Sequence, residues 1–206
     1  DDEYSRCDSV PSYAEERSFL ESKLNLQKEF EMNQTGQDLL QKSQNWLKQD
    51  VFPLWIRKGI DSQNGGFIEA LNMQGEPVDS PRRAMVQARQ IYSFVTGAQL
   101  NSCEPQKAHE IVAKAGQFFI NSYLISEGSC LHAVTSQGHP AQLDKELYTQ
   151  AFALFALAQI YSVTKDSKYQ QHALNLMAYL EKNRRAPGGG FTEIKKQEIL
   201  FQSNPH

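Results

Sequence analysis

The chain has 206 residues, 40% of them hydrophobic and 22% charged, with a formal net charge of −3. This is ordinary globular composition, enough for one domain or for half of a larger one, and it excludes a disordered or collagen-like chain. Basic and acidic residues are mixed along the chain with no basic stripe, and no apolar run reaches about 18 residues, so neither a nucleic-acid binder nor a membrane-spanning helix is expected.

The opening DDEYSRCDSV is acidic, lacks the apolar stretch of a signal peptide and carries no initiator Met. Residues 1–36 are charge-rich with sparse apolar positions that suit a frayed or surface helix, and they read as a polar extension ending at Gly36. From residue 37 a rhythm begins. Leu39, Leu40, Ser43, Trp46, Leu47 and Val51 share one helical face, and Pro53 is expected to close that helix. DSQNGGFIEALNMQGEPVDS follows, its Asn-Gly-Gly and Gln-Gly steps predicting turns around a short strand pair. A helix over 82–99 carries Met85, Ala88, Tyr92 and Val95 in line. The next, over 106–124, places Ala108, Ile111, Val112, Ala115, Phe118 and Phe119 at 3–4 spacing. SEGSCLHAVTSQGHPAQLDK repeats the glycine-turn hairpin before helices over 144–163 and 166–184, and APGGGFTEIKKQEILFQSNPH supplies a third glycine stretch.

Phe67, Leu131 and Phe191 align at the same point of successive units, and a spacing of this size signals stacked supersecondary repeats. The 146–161 helix is apolar nearly all round, the mark of an inner helix, whereas those at 106–124 and 166–184 keep a polar face and lie outside. Inner and outer helices alternating with hairpins at one end describe an all-α, (α/α)6-type toroid. This chain holds about three helical hairpins with short β-hairpin loops, a half barrel that stops where the third inner helix would start.

Arg89, in VQARQIYSF, lies beside the Met85–Ala88–Tyr92 stripe of an inner helix. A guanidinium there needs an anionic or strongly polar partner, unless it reaches solvent or holds a structural carboxylate. Arg82 and Arg83 at the same helix start could meet a phosphate or stay solvated. Tyr148 and Gln150 open the second inner helix, where a Tyr hydroxyl needs a partner that core backbone or a ligand hydroxyl could equally supply. Asp144 and Glu146, the pair a glycoside hydrolase would need, sit at a helix start and read as capping charges. His132 and His139 lack nearby Cys or paired acids, so no metal site is expected. Cys7, Cys103 and Cys130 show no CxxC spacing and read as reduced thiols of a cytoplasmic protein.

In order and spacing, FPLWIRKGIDSQNGGFIEALNMQGEPVDSPRRAMVQARQIYSFV, LYTQAFALFALA and GGGF…FQSNPH resemble the N-acylglucosamine 2-epimerase family, nearest its bacterial aldose–ketose isomerases, over roughly residues 40–206. The resemblance implies an (α/α)6 barrel acting on a small-molecule sugar without metal or other cofactor. Residues 37–206 would be the N-terminal half of that barrel. Arg89 would be the catalytic cation facing the sugar, with Tyr148, Gln150, Asn204 and His206 lining the pocket. Asn204 and His206 match the Asn and first His of the family's N-x-H-x-H motif, in which the Asn and the second His line the pocket and the first His has a structural role or a place at the pocket edge; Thr149 stands where relatives commonly have Asp. The implied chemistry is proton transfer α to a carbonyl through an enediolate, converting a mannose-type aldose to its ketose. The alternatives are C2 epimerisation, or a non-catalytic sugar-binding half barrel that closes by homodimerising. Because the acid–base histidines of the family belong largely to its C-terminal half, this chain alone is expected to be inactive.

Overall fold

In the computed structural model of the chain, residues 13–193 are described; Asn204, His206 and Cys7 fall outside the described residues. The chain divides into two compact units between Asn45 and Trp46. Helix α1 (Tyr13–Trp46) accounts for the first, with an Arg17–Glu21 pair at 3.1 Å one turn apart. It runs straight through Gly36, the expected boundary. One glycine costs a helix about 1 kcal/mol, too little to stop it among good helix formers.

The second unit opens in π-type turns, Leu47–Val51 and Trp55–Gly59, on either side of α2 (Phe52–Leu54). Pro53 therefore does not close the helix as expected. It sits in the first turn of α2, where a missing N–H is tolerated, and the chain leaves the helix at Ile60, which is extended. The apolar face expected over 39–51 is largely open: Leu39, Leu40 and Trp46 are exposed, and only Leu47 of that set packs on the core.

Strands β1 (Arg82–Arg83), β2 (Ala133–Val134) and β3 (Pro140–Gln142) form an antiparallel sheet in the order β1-β2-β3. Arg82 pairs with Val134 and Arg83 with Ala133, so the strand leading into α3 (Ala84–Gln99) joins the hairpin that leads into α5 (Leu147–Thr164). α3 packs on α4 (Pro105–Ser122) and on α5, and α5 packs in turn on α4 and on α6 (Ser167–Arg184). Each apolar position expected on α4 is buried, because 3–4 spacing puts all of them on one face. Glu104 caps that helix by accepting from Gln106 and Lys107 N–H, and Asp166 caps α6 through Lys168 N–H.

At Gly97 in α3, an added Cβ would lie 2.2 Å from the Phe52 ring, which stacks edge-on against Phe94 at 5.5 Å. The Gly97→Ala variant is expected to lose about 1–3 kcal/mol of stability through overpacking, despite alanine's better helix propensity. Thermal unfolding checks this, and a gain in melting temperature would contradict it.

From the second strand of each hairpin into the inner helix, the first two repeats keep one register. Isolated bridges close the hairpins at Ile60–Phe67, Leu124–Cys130 and Arg185–Phe191, so the residue equivalent to Phe67 is Cys130 and not its neighbour Leu131. The fully buried Gln87 amide donates to the Phe67 carbonyl and accepts from its N–H, both at 2.8 Å. Gln150 does the same to Cys130, again at 2.8 Å for both bonds. Positions 67, 69, 82, 83, 87 and 89 thus correspond to 130, 132, 145, 146, 150 and 152, a constant offset of 63. The cations follow the same rule. Arg82 reaches Asp61 in the first hairpin at 2.6 Å, and Lys145 reaches Glu127 in the second.

Candidate functional site

The repeat gives a way to separate architecture from function. Residues that do the same job in both copies serve the fold, and residues that break the equivalence are free to serve something else. Gln150 belongs to the first group. Its side chain is fully buried and both ends of its amide are engaged by the Cys130 backbone, so it holds the second hairpin. Arg82 is structural as well. It is buried against Asp61, donates to the Gly65 carbonyl at 3.3 Å, and its own carbonyl accepts from the Tyr123 hydroxyl. Arg83 pairs with Glu69 through both its backbone N–H and its guanidinium.

Arg89 breaks the equivalence. Its counterpart in α5 is Phe152, and the guanidinium lies over that ring, 4.9 Å from the centroid, the geometry of a cation–π contact. Its Nη2 also donates to the Tyr148 hydroxyl at 3.0 Å. Tyr148 stacks edge-on against Phe152 at 4.9 Å, Phe152 against Phe155 at 6.4 Å, and Phe155 meets Tyr92 at 5.3 Å. Arg89 is exposed, as are Tyr92 and Tyr148 at 45% and 50%. The side of α5 that the sequence implied would be covered is therefore open. α3 and α5 together present a face with aromatic rings, a phenol and one guanidinium, which among the described residues meets the Tyr148 hydroxyl and the Phe152 ring. Aromatic surface with a few placed polar groups is the usual make-up of a small-molecule site.

The neighbouring polar groups hold the helix starts. Burial pushes the Asp61 carboxyl upward, but hydrogen bonds from Asn64 and Gln63 backbone N–H, from Arg82 and from the Asn64 side chain outweigh it and hold it at about 2. His132 Nδ1 lies 3.1 Å from Thr149 Oγ1 and 3.4 Å from Glu146 Oε2. Sequence reasoning passed over this contact, because His132 lies 14 and 17 residues from its partners and belongs to no motif. The constant offset of 63 was the signal that could have found it. Glu146 precedes the first turn of α5 without a side-chain cap bond, and the Leu147 N–H instead donates to Glu193 Oε1 at 2.9 Å. A concavity of about 680 Å³ away from the Arg89–Tyr148 pair runs between the first hairpin and α4, lined by Ser62, Gln63, Asn64, Lys114, Gln117 and Asn121. Among the described residues there is no group of three or more His, Cys, Asp or Glu able to hold a metal, and no helix long and apolar enough to cross a membrane.

Known proteins place this architecture. The fold matches solved cellobiose 2-epimerases: that of Spirochaeta thermophila gives a TM-score of 0.66 at 22% identity, over 76% of this chain and 39% of the other. A second, from Bacillus thermoamylovorans, gives 0.68 at 20% identity over 76% and 40%. These are (α/α)6 barrels, matched in part. In sequence, the chain is 30% identical over 164 residues to a mannose-6-phosphate isomerase of Rhizobium meliloti, covering 78% of this chain and 42% of that protein. It is 26% identical to the N-acylglucosamine 2-epimerase of Rattus norvegicus over 62% of this chain and 31% of the relative. The chain thus spans between about a third and two fifths of the length of these relatives. The pattern of the family described as N-acylglucosamine 2-epimerase matches residues 65–206, well over half the chain, and the chain belongs to that family.

Proposed function

We propose that this chain supplies the binding wall and the fixed cation of a sugar isomerase that interconverts an aldose of the mannose type with its ketose. The observation that carries the reading is Arg89: where the second repeat has the Phe152 ring the first has a guanidinium, on an open aromatic face, bonded to a phenol. Aldose–ketose isomerisation removes the proton at C2, leaves an enediolate, and returns the proton to C1. A guanidinium beside the carbonyl oxygen stabilises the charge that develops there, and the Tyr148 hydroxyl holds both the guanidinium and a sugar hydroxyl in register. The base, for which histidine is the natural residue, comes from outside the described residues. Asn204 and His206 stay in the proposal as pocket residues on the strength of the motif resemblance alone.

A free sugar is favoured over a phosphorylated one. Arg82 and Arg83, the cations at the start of α3 that a phosphate would need, are held by Asp61 and Glu69. Epimerisation at C2 is the second reading, favoured by the epimerases among the relatives; it uses the same enediolate with a different return of the proton. Cys103 and Cys130 are buried free thiols, which fits a reducing compartment.

Incubation of the full-length protein with D-mannose, mannose 6-phosphate or N-acetylmannosamine in deuterated water is expected to exchange deuterium into mannose, with fructose formed. Absence of exchange at C1 and C2 in all three would overturn both readings. The Arg89→Met variant is expected to slow exchange by about 10²–10³-fold, the usual cost of one transition-state donor. Its melting temperature should be unchanged, since the side chain is exposed. Arg89→Lys should recover little of the rate, because an ammonium cannot both stack on Phe152 and bond Tyr148 in the same way.

A further inference from the structure

The residues that meet across α3 and α5 are themselves repeat equivalents. Arg89 lies over Phe152, and three residues on Tyr92 meets Phe155. Both pairs are separated by the same 63 residues that separate Gln87 from Gln150. At 92 and 155 both partners are aromatic, and the contact is ring packing. At 89 and 152 one partner is a cation and the other a ring. The other cation–ring contacts among the described residues join near neighbours in sequence: Lys165 with Tyr161, Lys168 with Tyr169, and Arg185 with Phe191. Two of those cations also pair with an acid, Lys168 with Asp166 and Arg185 with Glu181. Arg89 instead crosses from one inner helix to the other and rests on a ring.

The consequence is orientation. An exposed arginine side chain has many rotamers, and its planar N–H fork recognises an oxygen only when it is aimed. Phe152 restrains where the guanidinium sits, with its ring centroid 4.9 Å from Cζ, and the Tyr148 hydroxyl restrains how it turns, by accepting from Nη2 at 3.0 Å. Among the described residues the other N–H groups of Arg89 have no acceptor and face the open side. The ring is held in its turn. Tyr148 meets it edge-on at 4.9 Å and Phe155 at 6.4 Å, and it is half-buried against the core. We propose that Phe152 is a positioning residue for Arg89: its ring carries the guanidinium and aims the free N–H groups at the sugar oxygen, and it contributes to the rate only through Arg89. One repeat position thus does two jobs, supplying the charge in the first copy and its support in the second. The catalytic part rests on the reading of Arg89 as the sugar-facing cation.

The test compares full-length wild type, Phe152→Leu and Phe152→Tyr, each with isotope-labelled arginine. The Arg89 side-chain NMR signals are assigned by their loss in Arg89→Met. A ring beside the guanidinium shifts the δ-methylene signals of Arg89. They are expected to move to the position of a solvated arginine in Phe152→Leu and to stay near the wild-type position in Phe152→Tyr, whose ring keeps its negative face. If Phe152→Leu does not fold, Phe152→Met serves in its place, because it fills the space with a flexible side chain that has no ring. Arg89 signals unmoved by loss of the ring overturn the proposal. In the deuterium-exchange assay Phe152→Leu should lower kcat about 2- to 5-fold, the rate equivalent of an exposed cation–π contact. The KM for mannose should be little changed, and Phe152→Tyr should be close to wild type. In an Arg89→Met background the same substitution should cost nothing further, since its effect passes through the missing guanidinium. An equal loss in both backgrounds, or a raised KM with kcat unchanged, would mean that Phe152 meets the sugar directly and would overturn the proposal. The NMR comparison needs no turnover. Absence of exchange in the wild type would therefore overturn the functional reading and leave the Arg89 signals to decide the positioning.

Discussion

Replacing Gln87 by Ala is expected to lower the melting temperature by about 10 °C. The Gln87 amide closes both backbone hydrogen-bonding groups of Phe67, a residue with no exposed surface. Truncation leaves a buried N–H and a buried C=O unpaired and opens a void too enclosed for easy hydration. Each unsatisfied group costs about 1–3 kcal/mol, so a loss of about 3–4 kcal/mol is expected. In a chain of this size 1 kcal/mol corresponds to about 2–4 °C. Gln150→Ala should cost about the same, because its two bonds to Cys130 have the same lengths and its site is equally buried. Gln87→Glu should be no better: the carboxylate can still accept from Phe67 N–H, but it turns an acceptor toward the Phe67 carbonyl and buries a charge. Calorimetry or circular dichroism on the three variants checks this. A fall of less than about 2 °C in Gln87→Ala would show that the clamp adds little beyond what solvent can replace.

The Arg82→Met variant should lose about 3 kcal/mol, at the low end of the range for breaking a buried ion pair. Arg82 and Asp61 are 5% and 11% exposed at the side chain and meet at 2.6 Å. The loss is moderated because Asp61 keeps its bonds from Gln63 and Asn64. The pH dependence separates this pair from general packing. Asp61 sits at about 2, below its ordinary value of 3.8. A lowered carboxylate contributes stability that is fully present above the unfolded value and is lost as pH falls through the folded one. The wild type is therefore expected to lose about 2 kcal/mol between about pH 4 and 2 from this group alone. In Arg82→Met part of that lowering is gone, so the variant should be less stable at neutral pH yet show a shallower acid slope. Parallel acid slopes in the two proteins would mean that Arg82 is not what holds Asp61 down.

Much of the fold was legible from spacing. The apolar positions of α4 recur at three and four residues, and all of them are buried. Glycine-centred turns marked the hairpins, and the distance between them revealed the repeat. The same reasoning failed where a rule looks only at near neighbours. Pro53 should stop a helix, yet the surrounding π-type turns carry the chain on to Gly59. Leu131 looked like the counterpart of Phe67, yet the hairpin closes one residue earlier, at Cys130.

What the sequence by itself determined is which residues could face a core and which could not, since side-chain direction follows from the helical and strand periods alone. It also brought out Arg89 as a cation on an otherwise apolar stripe. Only the tertiary structure decided what each polar side chain does, because partners lie 14 to 63 residues away and hydrogen bonds are settled by a few tenths of an ångström. Gln150 and Tyr148, two residues apart on one turn of α5, were equal candidates in sequence. Folding turned the amide inward to a hairpin backbone and left the phenol on the open face with Arg89.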